Sequence, residues 1–195
     1  MVPTRLLLTV GFALALAPAL ALAKAPKEDA FKAFEEELLQ TTGLDEEDEK
    51  ALKQIRKCDK MDKIWQRKLE DPHTYALHET RDHLRGSIAC WEKVTKKHQT
   101  GNEAVDDWVV AWHGFVKGVE IWVWARMAVE IGERDNFCTR IVAAEDQLKE
   151  ASEGAAVLPE KFTTTEGKDL ANAPYVAISE VYTMVHKHHT DSGCE

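Results

Sequence analysis

The sequence predicts an all-α protein: an antiparallel helical bundle of about five to six helices, three of them long, stapled by disulfides. Three observations predict it. Apolar residues recur at spacings of three and four through most of the chain beyond residue 27. Alternating strand-like patterns are absent, and the breaks in the helical pattern fall at capping residues, glycines and prolines. Finally, Cys58, Cys90, Cys138 and Cys194 sit on or just beyond different helical segments, where two bridges would tie helices together.

The first segment lies outside the bundle. Arg5 precedes an apolar run over residues 6–17, and Pro18 leads into Ala21-Leu22-Ala23, small residues at the positions a signal peptidase reads. The run is shorter than the ~20 residues a membrane span needs and is followed at once by Lys24, Lys27, Glu28 and Asp29. Residues 1–23 are therefore expected to be a secretory signal peptide and residues 24–195 a single helical-bundle domain, exported to the periplasm or the extracellular space. No cysteine follows the cleavage site, which argues against a lipid anchor. The 172 mature residues would carry 24 basic against 34 acidic side chains, a net charge of −10. Nucleic acid is excluded as a partner, because a phosphate-backbone binder needs a clustered basic face and acids interleave every basic grouping here.

A short first helix is expected over about 27 to 40, with Phe31, Phe34 and Leu38 on one side and Thr41-Thr42-Gly43 as its stop. The second runs from about 45 to 70 and carries Leu52, Ile55, Cys58, Met61, Trp65 and Leu69 along one side. Asp71-Pro72 reads as an N-cap followed by proline at the first position of a third helix, which holds Leu77, Leu84, Ile88, Trp91 and Val94 and stops at Thr100-Gly101. Asn102 caps a fourth that ends at Gly132, and Asp135 caps a fifth through Ile141, Ala144, Leu148 and Ala151. A flexible connection is expected near 154–173, with Pro174 opening the sixth helix through Tyr175, Ile178, Tyr182 and Val185. The acidic runs Glu35-Glu36-Glu37 and Asp45-Glu46-Glu47-Asp48-Glu49 read as solvated faces and dipole-favoured helix starts.

The fourth helix is the most informative, since residues 108–127 hold four of the six tryptophans. Ala111, Gly118, Ala125 and Gly132 recur every seven residues, with Gly114, Ile121 and Ala128 between them, a seam of mostly small side chains that lets a neighbour approach closely. Trp108, Trp112, Phe115, Val119, Trp122 and Val129 form an aromatic-rich core face, and His113, Lys117 and Glu120 a polar stripe. Spanning a membrane is excluded on cost, because Lys117, Glu120 and Arg126 would each add ~2.5–3.5 kcal/mol near mid-span. A central core helix is expected. The rival reading is a pocket in which Trp108, Trp112 and Trp122 line an apolar ligand and His113 or Glu120 supplies the one polar contact.

None of the four cysteines lies in a C-x-x-C pair, so redox, haem-attachment and zinc-knuckle spacings are all missing. Helix directions favour Cys58 with Cys90 and Cys138 with Cys194. Counted from Asp71, the first pair is offset by about six residues, or ~9 Å along the axis, so some stagger of the helices is required.

If all the helices are antiparallel neighbours, His73, His78, His186, His188 and His189 gather at one end, with Asp191 close by. Imidazoles and carboxylates so placed could hold Zn(II) or Cu(II); the plainer reading is a solvated C-terminus. No Glu-x-x-His, no Gly-x-Ser-x-Gly elbow and no phosphate-cradling glycine loop is present, so no catalytic residue is named. The leading expectation is a non-enzymatic exported bundle that binds a protein or envelope partner. A metal-binding or metal-buffering protein and a carrier of an apolar ligand are the alternatives.

Overall fold

The computed structural model of the chain describes residues 28–70 and 77–194, and among these every regular element is a helix. The signal-peptide segment, Asp71-Pro72 and His73 lie outside the described residues. The elements are α1 (Glu28–Thr41), α2 (Glu46–Glu70), α3 (Leu77–Lys97), α4 (Glu103–Glu130), α5 (Arg134–Ala156), the single turn α6 (Leu158–Lys161) and α7 (Thr165–Ser192). This is the all-α bundle that the periodicity implies.

Caps fix most of the boundaries. Asp45 Oδ1 accepts from the amides of Glu47 and Asp48, both at 2.8 Å, while the Asp48 carboxylate reaches back to the Asp45 amide at 3.3 Å; this reciprocal pair starts α2. Asp48 is thereby buried rather than solvated. Asn102 Oδ1 accepts from the Val105 amide at 3.0 Å and its Nδ2 donates to Thr41 Oγ1 at 2.7 Å, so one side chain both caps α4 and fastens it to α1. At the far end of α4, Gly132 takes φ 79°, and the Glu133 amide bonds the Ala128 carbonyl at 2.9 Å, a closing turn that favours glycine. Asp135 does not cap α5: Glu133 stands at the N-cap position without a side-chain bond to the helix's backbone amides, and Asp135 falls in the first turn.

The segment 154–173 differs most from its expected form. Helix α5 continues to Ala156, α6 follows, and α7 starts at Thr165, nine residues before Pro174. One local and one long-range interaction account for the early start. Thr164 Oγ1 accepts from the Gly167 amide at 3.0 Å and caps α7. The buried Glu37 carboxylate accepts from the amides and hydroxyls of both Thr163 and Thr164 at 2.9–3.1 Å, which pins the turn onto α1. Pro174 therefore lies inside α7, where the missing N–H costs one intrahelical bond.

Neighbours in sequence are neighbours in space: α2 packs on α3, α3 on α4, α4 most extensively on α5, and α5 on α7. Helix α1 bridges α7 and α2. Both expected disulfides are present, with Cα separations of 5.5 Å for Cys58–Cys90 and 5.2 Å for Cys138–Cys194. The stagger anticipated for the first pair is not needed: Cys58 is 12 residues before the end of α2 and Cys90 is 13 residues after the start of α3, so the two lie level. Core side chains come from all seven helices, and α4 is buried on nearly every side, although Val129 of its expected core face is exposed.

The small-residue seam of α4 meets α5. A Cβ built on Gly118 would stand 2.5 Å from Leu148 Cγ, and one on Gly114 would stand 3.3 Å from the Ala151 Cβ. Gly118→Ala is accordingly expected to destabilise by ~1–3 kcal/mol through overpacking. Gly154→Ala, with nothing within 4 Å, is expected to be neutral or stabilising by up to ~1 kcal/mol. Urea denaturation with both disulfides intact checks the pair, and equal midpoints for the two variants would show that α4 and α5 do not approach so closely.

Candidate functional site

The centre of the bundle is built on Asp62, a carboxylate with no exposed surface. It stands on α2 between Cys58 and Trp65, on the stripe of Ile55, Cys58, Trp65 and Leu69 that faces the core. Oδ1 accepts from Trp65 Nε1 at 2.9 Å and from the Ser87 hydroxyl of α3. Oδ2 accepts from Trp91 Nε1 of α3 at 2.9 Å and from Trp112 Nε1 of α4 at 2.7 Å. Three indoles and one hydroxyl thus occupy both oxygens and join three helices at one point. All four donors are neutral. Burial pushes the carboxyl up to about 6 although the bonds from Ser87, Trp112, Trp65 and Trp91 oppose that rise.

Aromatic packing extends outward from this point. Trp112 stacks on Trp108 at 5.6 Å with 7° between the planes, and Phe34 of α1 meets Trp108 edge-on at 5.0 Å. Phe162 lies 6.3 Å beyond Phe34, while Phe115 links Trp112 and Trp65 at 5.1 and 6.4 Å. Trp108, Trp112 and Trp122, expected as a ligand lining, are buried to 2 % exposure or less within this packing. Among the described residues, the Nε1 atoms of Trp108 and Trp122 and the Nε2 atom of His113 have no hydrogen-bond partner, although all three are buried. Burial, and then the nearby Lys117 cation, push His113 down to about 4, so its ring is neutral near pH 7.

The histidines of α7 separate onto different surroundings. His186 Nδ1 and His189 Nδ1 converge on the two oxygens of Glu145, on α5, at 2.7 and 2.5 Å, and His189 Nε2 bonds the Cys194 carbonyl at 2.8 Å. Glu145 lies below its ordinary range: burial raises it, and the two imidazoles more than compensate. His188 instead packs on Phe137 with ring centroids 5.2 Å apart, and burial followed by the Arg126 charge pushes it down to about 4. His78 and Asp191 are exposed, and α3, which carries His78, packs on α2 and α4 rather than on α7. Among the described residues no group of three or more His, Cys, Asp or Glu side chains is arranged to hold a metal ion.

Sequence reasoning missed three of the four carboxylates that organise these sites. Asp62 was nevertheless legible, since an acid interrupts an otherwise apolar stripe at spacing 55, 58, 62, 65, 69. Glu37 is hidden by its acidic neighbours, and Glu145 has no signal apart from its helix partner. Glu120 was assigned to the polar stripe, yet it is buried and accepts from Arg81 Nε at 2.7 Å and Arg85 Nε at 3.2 Å. Among the described residues no helix is long and apolar enough to cross a membrane. No protein-family model, curated protein or solved structure matches the chain.

The raised Asp62 carboxyl carries a signed pH dependence. Because its folded value, about 6, exceeds the ordinary 3.8, the folded state binds the proton more tightly; the contribution is fully present below the unfolded value and is lost as pH rises through 6. His113 and His188 act oppositely, being neutral when folded, and lose stability as pH falls from 6.5 towards 4. Asp62→Asn isolates the first effect. An amide must turn its NH2 towards indole or hydroxyl donors, so the variant is less stable at every pH by ~1–3 kcal/mol or more. The gap between wild type and variant is expected to widen by ~2 kcal/mol between pH 8 and pH 4, as a rise of about two units implies. Denaturant titrations across that range check it, and a gap that stays constant or narrows refutes the assignment.

Proposed function

We propose that the chain is an exported, non-enzymatic binding protein whose rigid bundle presents a surface to a protein or envelope partner. The observation that carries this reading is the use made of the buried acids. Asp62, Glu37 and Glu145 each have both carboxylate oxygens occupied by donors that include other helices or turns, and one oxygen of Glu120 takes both Arg81 and Arg85. They serve as ties within the frame, and general acid–base chemistry in a cleft needs such a group left open to substrate. Export is supported by the signal-like segment over residues 1–23 and by two disulfides, which persist in oxidising compartments.

Large apolar side chains are exposed on several elements, Leu39 at 60 %, Val110 at 55 % and Ile131 at 70 % among them. A photo-reactive amino acid placed at each of these positions in the producing cell is expected to yield, at one or more of them, a discrete adduct with the same partner. The exported chain is expected to begin at Lys24. Absence of adducts at all three positions in a folded, exported protein would overturn the reading. So would a melting temperature raised by Zn(II) or Cu(II) and returned to its base value by His186→Ala with His189→Ala, an outcome that replaces it with metal binding through the imidazoles now held by Glu145.

A further inference from the structure

His189 faces an acceptor with each of its ring nitrogens. Nδ1 lies 2.5 Å from Glu145 Oε2 on α5, and Nε2 lies 2.8 Å from the carbonyl of Cys194, just beyond the end of its own helix. An ionised carboxylate and a backbone carbonyl only accept. A neutral imidazole carries one N–H, so in either tautomer its other nitrogen would turn a lone pair towards an oxygen at hydrogen-bonding distance. Only the doubly protonated ring makes both contacts. Glu145 does not supply the missing proton: burial raises its carboxyl, but the bonds from His186 and His189 outweigh that and hold it below the ordinary range.

His186 meets the same carboxylate under a weaker condition. Its Nδ1 donates to Glu145 Oε1 at 2.7 Å, which is its one hydrogen bond among the described residues, so a neutral tautomer satisfies it. Loss of a proton therefore breaks a contact at His189 and none at His186. The turn beyond His189 has few other ties. Gly193 closes α7 at φ 63° with its amide 3.4 Å from the Thr190 carbonyl, and Arg134 Nη2 of α5 donates to the Ser192 carbonyl at 3.2 Å in an exposed position. Other charges around this end include Arg126 of α4 and Asp191, which act on His188, and the exposed Lys187. Helices α1 and α6 also pack on α7, but Glu37 is taken up by Thr163 and Thr164, and Lys161 by Glu103 and Asp107.

We infer that His189 is a proton-operated clasp: its doubly protonated ring ties Glu145 of α5 to the Cys194 carbonyl, and loss of one ring proton releases the last turn of α7. The sign follows from which form makes the contacts. Order is present while the ring is cationic and is lost as pH rises; on the acid side it ends where Glu145 takes up a proton, below the ordinary carboxyl range. The Cys138–Cys194 bond keeps Cys194 within reach in both forms, so opening is local and reversible.

The test follows the full folded protein, with both disulfides intact, by nuclear magnetic resonance as pH is raised. Ring nitrogen chemical shifts report which nitrogens of His189 carry protons, and amide exchange, corrected for its intrinsic pH dependence, reports order in residues 190–193. Both ring nitrogens are expected to be protonated wherever those amides are protected. Protection is expected to fall about fivefold with loss of the second proton and at the same midpoint, as a partly exposed charge-assisted contact implies, while the amides of α4 keep theirs. In His189→Gln, which has no second proton to lose, protection of the turn is expected to be low and independent of pH. In His186→Gln the transition is expected to persist. A neutral His189 ring with the amides still protected, protection that ignores the ring proton, or no protection in either form would overturn the inference. So would a transition kept in His189→Gln or lost in His186→Gln.

Discussion

Everything else in the bundle is arranged around a carboxylate that water cannot reach. An isolated ionised acid in an apolar core costs several kcal/mol, and Asp62 is tolerated because four donors from three helices converge on it. The convergence works in both directions. Each indole N–H in a core also needs an acceptor, and one carboxylate satisfies three of them with directional bonds that apolar contacts lack. The positions of Trp65 and Trp91 along their helices, and of Trp112 along α4, are thereby fixed to one another. A helix that slid by a residue would leave both a donor and the acid unpaired. Apolar packing alone penalises such a slip much less, because a Trp-rich interface offers several arrangements of similar buried area.

With that register set, α4 divides its surroundings between two kinds of contact. Towards α5 it presents Gly114 and Gly118, so close approach is the constraint and shape is filled by Leu148 and Ala151. Towards α1, α2 and α3 it presents Trp108, Trp112 and Phe115, which meet Phe34, Trp65 and Trp91. The two halves need each other. Large rings on one face push neighbours outward, and only the small residues on the opposite face let α5 close against the backbone. Cys58–Cys90 then fixes α2 to α3 four residues from Asp62, where the hydrogen-bonded centre already holds those helices level.

The fold was largely legible because its determinants are periodic and local: apolar spacing gives α2, α3 and α4, Asn102 and Gly132 mark two boundaries, and the cysteine pairing follows from helix direction. Where reading failed, the deciding interaction was distant in sequence. Nothing near Thr163 and Thr164 announces that Glu37, 126 residues from the first of them, will accept from all four of their amide and hydroxyl donors and turn a presumed connection into the start of α7. Pro174 was misread for the same reason, since proline at the first helical position is the usual local meaning and only tertiary contacts reveal a start nine residues earlier. The histidines of α7 have a neighbour that their spacing does not reveal. Spacing shows that His186 and His189 share a face; it does not show that Glu145 is what that face meets.

The two ends of the bundle are held by different physics. At the end where α4 begins, the ties are polar and short: Asn102 to Thr41, Asp106 to Thr100 and Gly101, and Glu37 to the turn before α7. Glu37 is fully buried, and its carboxyl lies below the ordinary range because hydrogen bonds from Thr163 and Thr164 outweigh the rise that burial imposes. At the end where α7 finishes, the last turn is wet, with His186, Asp191 and Gly193 exposed, and hydrogen bonds in such a setting contribute little. A covalent tie is effective there because it does not weaken on hydration. Cys138–Cys194 closes a loop of sequence separation 56, worth ~4 kcal/mol on the chain-entropy account. His189 then bonds the carbonyl of Cys194 itself, so the imidazole pair on Glu145 orders a terminus that the disulfide has already brought within reach. The bridge removes most of the entropy that would oppose that ordering, which is why a half-exposed histidine contact persists at an otherwise frayed position.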